Sequence, residues 1–352
     1  MVYLINVGLM LFWDIVIPEN TRGKRKALCV LYCLQWILLS GLRAYTVGAD
    51  TFAYKIYHFD VTYATPWNRL FSLFSEYLHG GGGIKDPGYA LFEKICQVFI
   101  GNHYTMYLLI IACVFTIPMG RWIYKYSENI CLSFMIYSAL FYSFFAITGH
   151  RQTVASALVI FVGYECMKKN KIIPLLLVHL VAFFIHKSSI CFIILYFARF
   201  IKINKLYWTV STALIVFSFI FRNQFMTLLG DLMEYESYAK QFEGAGTYTF
   251  TFFLLTIYAV AMILYSRIPP NVDFDYSVIA MTLAVFFTPL TFVNPSAMRV
   301  VQYFSIFMLI LVPKLILAFN KPSRIIANCG CYGVLIGSLL IKLPNYSFVF
   351  WS

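Results

Sequence analysis

The chain has 352 residues, of which 61% are hydrophobic and 12% charged, with a formal net charge of +12 and a mean hydropathy of +0.76. An ordinary soluble domain carries about 45–50% apolar and about 25% charged residues. That class is therefore excluded, and with it any soluble basic domain that could carry nucleic-acid binding.

What remains is an all-α, polytopic transmembrane helical bundle, a single integral membrane domain over residues 1–352. A membrane-crossing helix takes about 20 mostly apolar residues. In chain order the apolar windows are 2–17, 27–42, 104–121, 130–147, 152–167, 172–186, 189–200, 206–222, 250–267, 276–293, 297–318 and 325–341, about twelve spans. Trp13, Asp14 and Pro18 stand where a signal peptide would need small residues for cleavage, so the first run is expected to stay as a helix. Arg22, Lys24, Arg25, Lys26, Arg121, Lys125, Lys168, Lys169, Lys171, Arg199, Lys202, Lys205, Arg267, Lys314, Lys321 and Arg324 all fall on alternate connections. The positive-inside rule makes that side cytoplasmic, where anionic headgroups also favour it. Both termini are then expected outside.

Two long connections fall on the outer side. The first, 43–103, holds two candidate interfacial helices, Trp67 to Leu78 and Gly88 to Phe99, each mixing bulky apolar residues with polar ones. The Gly80 to Gly83 tract reads as a linker between them, since no Gly-Lys-Ser/Thr follows. Proline in the Asp86-Pro87-Gly88 turn suits the start of the second helix. The second connection, 223–249, mixes Asp231, Glu234, Glu236 and Glu243 with Tyr235, Tyr238, Phe242 and Tyr248. Such a mixture suits a carbohydrate-facing surface, because aromatic faces stack on sugars while carboxylates accept from hydroxyls. A plain solvated loop accounts for it as well. The nine cysteines lie mostly in or near apolar spans, and their spacing implies neither a disulfide nor a zinc site.

Arg43, Arg151, His186 and Arg299 each stand at the edge of an apolar run, and all four fall on the outer side. Ionisable groups placed so are costly and mark function by default. Each also has a plainer reading, an arginine that snorkels to headgroups or a histidine that packs at a helix end.

The motifs around these residues form an ordered set. Arg43 is followed by Val47-Gly48-Ala49-Asp50-Thr51 and Tyr54. Asp86-Pro87-Gly88-Tyr89 comes next with Leu91 and Lys94, then Arg151-Gln152 at a helix start and His186 with Ser188 at a helix end. The set resembles the EpsG family of membrane polysaccharide polymerases, related in role to the Wzy O-antigen polymerases, over most of residues 40–200.

The resemblance implies a glycosyltransferase on the outer face of a bacterial cytoplasmic membrane, compatible with a GT-C-like architecture. Such an enzyme moves a growing glycan from undecaprenyl pyrophosphate to a sugar hydroxyl of a lipid-linked repeat unit, with inversion. Membrane lipids and a chain-length regulator would be its partners, with no cofactor and no metal. The residues suit that chemistry. Arg151 and Arg299, at expected helix starts, can fork onto the departing pyrophosphate, the work a divalent metal does elsewhere. Arg43, Tyr54, Tyr89 and Gln152 fall to substrate binding and positioning. Two residues qualify as the base. Asp50 is the first candidate, seven residues after Arg43 in sequence, and His186 is the rival. A lipid-linked oligosaccharide flippase and an O-antigen ligase or acyltransferase are the alternative readings. A flippase would need basic residues accessible from both sides, whereas here the unexplained ones share one.

Overall fold

The computed structural model describes residues 1–17, 19–80, 85–233, 247–341 and 345–351. Among them every named element is helical, joined by one isolated antiparallel bridge between Arg43 and Phe348, so the protein is all-α. Glu234, Tyr235, Glu236, Tyr238, Phe242, Glu243 and Gly81 to Gly83 lie outside the described residues, as does the side chain of Asp231.

The chain divides into two compact units. The first comprises Met1–Lys125, Phe134–Ile190 and Val334–Ser352, and the second Tyr126–Ser133 and Cys191–Gly333.

The first unit opens with α1 (Val2–Val16) and α2 (Arg22–Gly41), whose start is capped by the Thr21 hydroxyl accepting from the Lys24 N–H. The outer segment then forms α3 (Thr51–Tyr54), a π-helical turn over Lys55–Phe59, α4 (Asp60–Ala64), α5 (Trp67–Leu78) and α6 (Pro87–Ile100). The two helices expected in this segment are present, within one residue of the windows read from sequence. Phe71 and Leu78 on α5, and Val98 and Phe99 on α6, are exposed. There follow α7 (Tyr104–Tyr126) up to Lys125, the last part of α8 (Ile130–Ile136) from Phe134, α9 (His150–Ser156), α10 (Tyr164–Lys168) and α11 (Ile172–Ile185). Polar bonds pin this apolar packing. Tyr32 donates to the Met10 carbonyl at 3.0 Å, Trp36 Nε1 to Ser138 Oγ at 3.2 Å and Ser40 to the Ala146 carbonyl at 2.5 Å.

The ends of this unit differ in chemistry. At one end Arg22 meets Tyr124, and Lys125 and Lys169 flank Glu165. Arg43, just past the far end of α2, meets His150 at the other end. At 1.5 Å per residue the 20 residues of α2 separate the two groups by roughly 30 Å, the thickness of a bilayer's hydrocarbon core.

The second unit is built on α12 (Lys205–Ile220), α13 (Arg222–Met233), α14 (Thr247–Leu264), α15 (Val272–Phe287), α16 (Met298–Ser305), α17 (Met308–Ile316) and the first part of α18 (Lys321–Ile341). α15 packs against α12, α14, α16 and α17. Tyr207 bonds Thr282 at 2.7 Å, and Ser211 bonds Tyr258 at the same distance.

Among the described residues four helices are long and apolar enough to cross a membrane: Tyr104–Tyr126, Tyr248–Arg267, Val272–Phe292 and Lys321–Ile341. Two bent pairs raise the number to six, Lys205–Ile220 with Arg222–Leu228 at 85° and Pro295–Ser305 with Met308–Ile316 at 50°. The sequence windows suggested about twice as many, and local geometry accounts for part of the difference. The window 130–147 breaks from α8 into π-helical turns, 152–167 alternates α and π, and 189–200 winds as a 3-10 helix. Apolar composition alone does not separate a straight span from a broken one.

Candidate functional site

Asp86 organises the site. It is one of two non-glycine residues with positive φ among those described, at φ 53° and ψ 56°, and it stands just before α6, with Pro87 in the first helical position. This left-handed turn directs the carboxylate away from its own helix. Asp86 Oδ2 accepts from Arg151 Nη1 at 3.1 Å and from His186 Nδ1 at 3.3 Å, and Oδ1 accepts from the Lys187 N–H at 3.4 Å.

The partners come from chain breaks. Gly149, at φ +65°, restarts the chain as α9, whose first two residues are His150 and Arg151. His186 ends α11 in extended conformation, its N–H donating to the Ala182 carbonyl at 2.8 Å. α6 and α11 approach closely because Gly88 lies against Phe184, where a Cβ would stand 2.8 Å from the Phe184 backbone.

Arg151 is ringed on its other sides. Nη2 donates to His58 Nε2 at 2.7 Å, and the guanidinium carbon lies 5.6 Å from the ring centres of both Tyr54 and Tyr89. Nε is buried without a hydrogen bond among the described residues. Burial and the Arg151 charge push His58 down to about 4, so it is neutral and accepts. Burial opposes ionisation of Asp86, but His186 and Arg151 outweigh it and hold the carboxyl below its ordinary value. Beneath Tyr89, Glu93 is 1% exposed and accepts from Thr62 at 3.0 Å. Burial raises its carboxyl to about 8 despite that bond and the nearby Arg151.

The residues singled out in the sequence fall into three groups. Arg151, His186, Tyr54 and Tyr89 converge around Asp86, and Gln152 is buried beside Arg151 in the chain. Arg43 occupies an adjoining niche at 2% exposure. It donates to the Ser40 carbonyl and hydroxyl, to the Ile147 carbonyl at 3.2 Å and to His150 Nε2 at 3.0 Å. His150 in turn stacks on Tyr54, 4.5 Å between ring centres. Asp50 stands apart. It is exposed at the start of α3, and the groups that Arg43 bonds do not include it. Arg299 is half-buried at the second position of α16, in the second unit.

Asp86, named in the sequence only as part of a turn and of the ordered motif set, and His58 carry the geometry although neither was given a part in the site. Asp86 reads in sequence as a helix-starting turn, and nothing local signals a cation 65 positions away. His58 did leave a trace, since it follows Tyr54 by four residues and so shares its helical face.

No curated protein and no solved structure matches the chain. The model of the EpsG family matches residues 26–351. With nearly the whole length matched, the chain belongs to the EpsG family, a Wzy-like family of polysaccharide polymerases.

Proposed function

We propose that the protein is an inverting, metal-independent polymerase whose donor is a glycan on undecaprenyl pyrophosphate and whose acceptor is a lipid-linked repeat unit. The observation that carries this reading is the Arg151 guanidinium held between Asp86 and His58 beside two tyrosine rings. Arginine forks onto phosphate oxygens and keeps its charge where water is scarce. In the transfer, the bond from the donor anomeric carbon to pyrophosphate breaks, and its electron pair leaves on the pyrophosphate oxygen. The acceptor hydroxyl oxygen bonds to that carbon from the opposite face, and its proton passes to His186.

We assign the base to His186 rather than Asp50, because only His186 belongs to the Arg151 cluster. With Nδ1–H donating to Asp86, the ring's lone pair for a proton is on Nε2. Tyr54 and Tyr89 offer ring faces to sugar CH groups. The reading uses the first unit alone and gives Arg299 no part.

An outer location for this site is supported by the basic residues at the opposite end of α2 and α7. In a cysteine-free background, Asn102→Cys should react with an impermeant thiol reagent added outside, and Lys169→Cys should not. The reverse pattern would remove the site from the outer face. The base assignment has its own test. His186→Ala should abolish polymer and accumulate lipid-linked repeat units, while Asp50→Asn retains more than about a tenth of the normal rate. The opposite result would return the role to Asp50.

A further inference from the structure

The carboxylate at the centre of the site has no role in the transfer as written, yet it bonds both groups that do. We propose that Asp86 is a positioning residue that holds His186 in its Nδ1–H tautomer and occupies Arg151 until pyrophosphate oxygens displace it. The proposal rests on the reading of Arg151 as the pyrophosphate donor.

Three observations carry it. Asp86 joins separate parts of the chain, the turn before α6, the start of α9 and the end of α11, through the hydrogen bonds to Arg151, His186 and Lys187 N–H. Its backbone is left-handed at φ 53°, an uncommon conformation for a non-glycine residue that Asp and Asn adopt more readily than others, and it turns the carboxylate toward these partners rather than its own helix. A helix-capping role does not explain it, because the carboxylate caps none of the α6 N–H groups.

The chemistry follows from a shared partner. A carboxylate and a phosphate oxygen seek the same guanidinium edge. With Asp86 on Nη1 and His58 on Nη2, Arg151 is held in place before substrate arrives, with its buried Nε–H as a further donor. An arriving pyrophosphate competes with one carboxylate for one edge. Asp86 keeps its second contact, to His186, through that exchange. The charged and titratable groups around this pair are Arg151, His58 and, below Tyr89, Glu93, while Lys187 meets Asp86 through its backbone N–H.

The two parts of the role predict effects of opposite sign, which a purely structural residue would not give. Asp86→Asn keeps the size and tolerates the left-handed backbone, but removes the charge that competes for Arg151. Purified full-length Asp86→Asn should bind inorganic pyrophosphate about tenfold more tightly than the parent protein. It should also form polymer at least about tenfold more slowly, because His186 loses the group that fixes its tautomer. Asp86→Gly, which also adopts this backbone, should shift both quantities in the same directions and covers any misfolding of the first variant. Pyrophosphate affinity equal to or below the parent's in both variants would overturn the proposal. Arg151→Lys distinguishes the two levels. If Arg151→Lys binds pyrophosphate as the parent does, the reading of Arg151 fails and the proposal with it. If it weakens binding while the Asp86 variants do not tighten it, only the role given to Asp86 fails.

Discussion

Arg43 and Arg151 lie in adjoining niches, linked through the consecutive residues His150 and Arg151, and the sequence marks both in the same way, as cations at the edge of apolar runs. Their surroundings differ. Arg43 is sealed at 2% exposure and directs its terminal N–H groups at two backbone carbonyls, a hydroxyl and a neutral histidine. Arg151 is half-buried, faces a carboxylate and two tyrosine rings, and meets His58 on its far edge. A guanidinium committed to backbone carbonyls joins chain segments. One balanced against an exchangeable carboxylate can take up an anion. Burial together with the kind of acceptor, rather than charge, distinguishes the two niches.

The comparison breaks most directly at the two arginines. Arg151→Lys keeps the charge and loses the fork, and losing such a donor raises the barrier by on the order of 3 kcal/mol, roughly a hundredfold in rate. Protein level should stay normal. Arg43→Lys should do the reverse, lowering the amount of folded protein, because buried acceptors left unpaired cost about 1–3 kcal/mol each. Immunoblots of membranes beside polymer yield per molecule would separate the two. Normal protein level with lost polymer in Arg43→Lys would place both arginines in the chemistry.

Gly88 sharpens the comparison by moving the site without touching its chemistry. The Ala Cβ would meet the Phe184 backbone at 2.8 Å, so α6 and α11 must part, at a cost of about 1–3 kcal/mol for overpacking. Gly88→Ala should lower both thermal stability and polymer yield, since Asp86 and His186 ride on those two helices. Unchanged stability would mean that the close approach is not needed.

The legible part of this molecule was its local part. All-helical class and the positions of the two helices in the first long connection followed from composition and periodicity, properties that a short window contains. Arg151 and His186 were visible because a charge beside an apolar run is costly wherever it sits. Their meeting point was not, because the motif around Asp86 marks the residue without its partners, which are 65 and 100 positions away. Asp50 is near Arg43 in sequence, but the turn after α2 buries Arg43 and leaves Asp50 exposed. The windows number about twelve where four to six helices pass by length and composition among the described residues, and a window such as 130–147 breaks into α and π turns, a choice that packing makes and composition does not.

The smallest expected effect is a pH dependence beneath the site. Glu93 is buried under Tyr89 with its carboxyl raised from 4.5 to about 8, so the fold accommodates the neutral acid better than the carboxylate. A raised folded value means that its contribution to stability is complete below about 4.5 and is lost as pH rises through about 8. The parent protein in detergent should therefore melt lower at pH 9 than at pH 5, by about 5 °C if the linkage amounts to one or two kcal/mol. Glu93→Gln retains an acceptor for the Thr62 hydroxyl and cannot ionise, so it should flatten that dependence while Asp86 and Arg151 stay in place. The carboxylate at Asp86 behaves in the opposite sense, since its cations keep it charged as pH falls. A Glu93→Gln protein that loses stability between pH 5 and 9 as steeply as the parent would assign the pH response to another group.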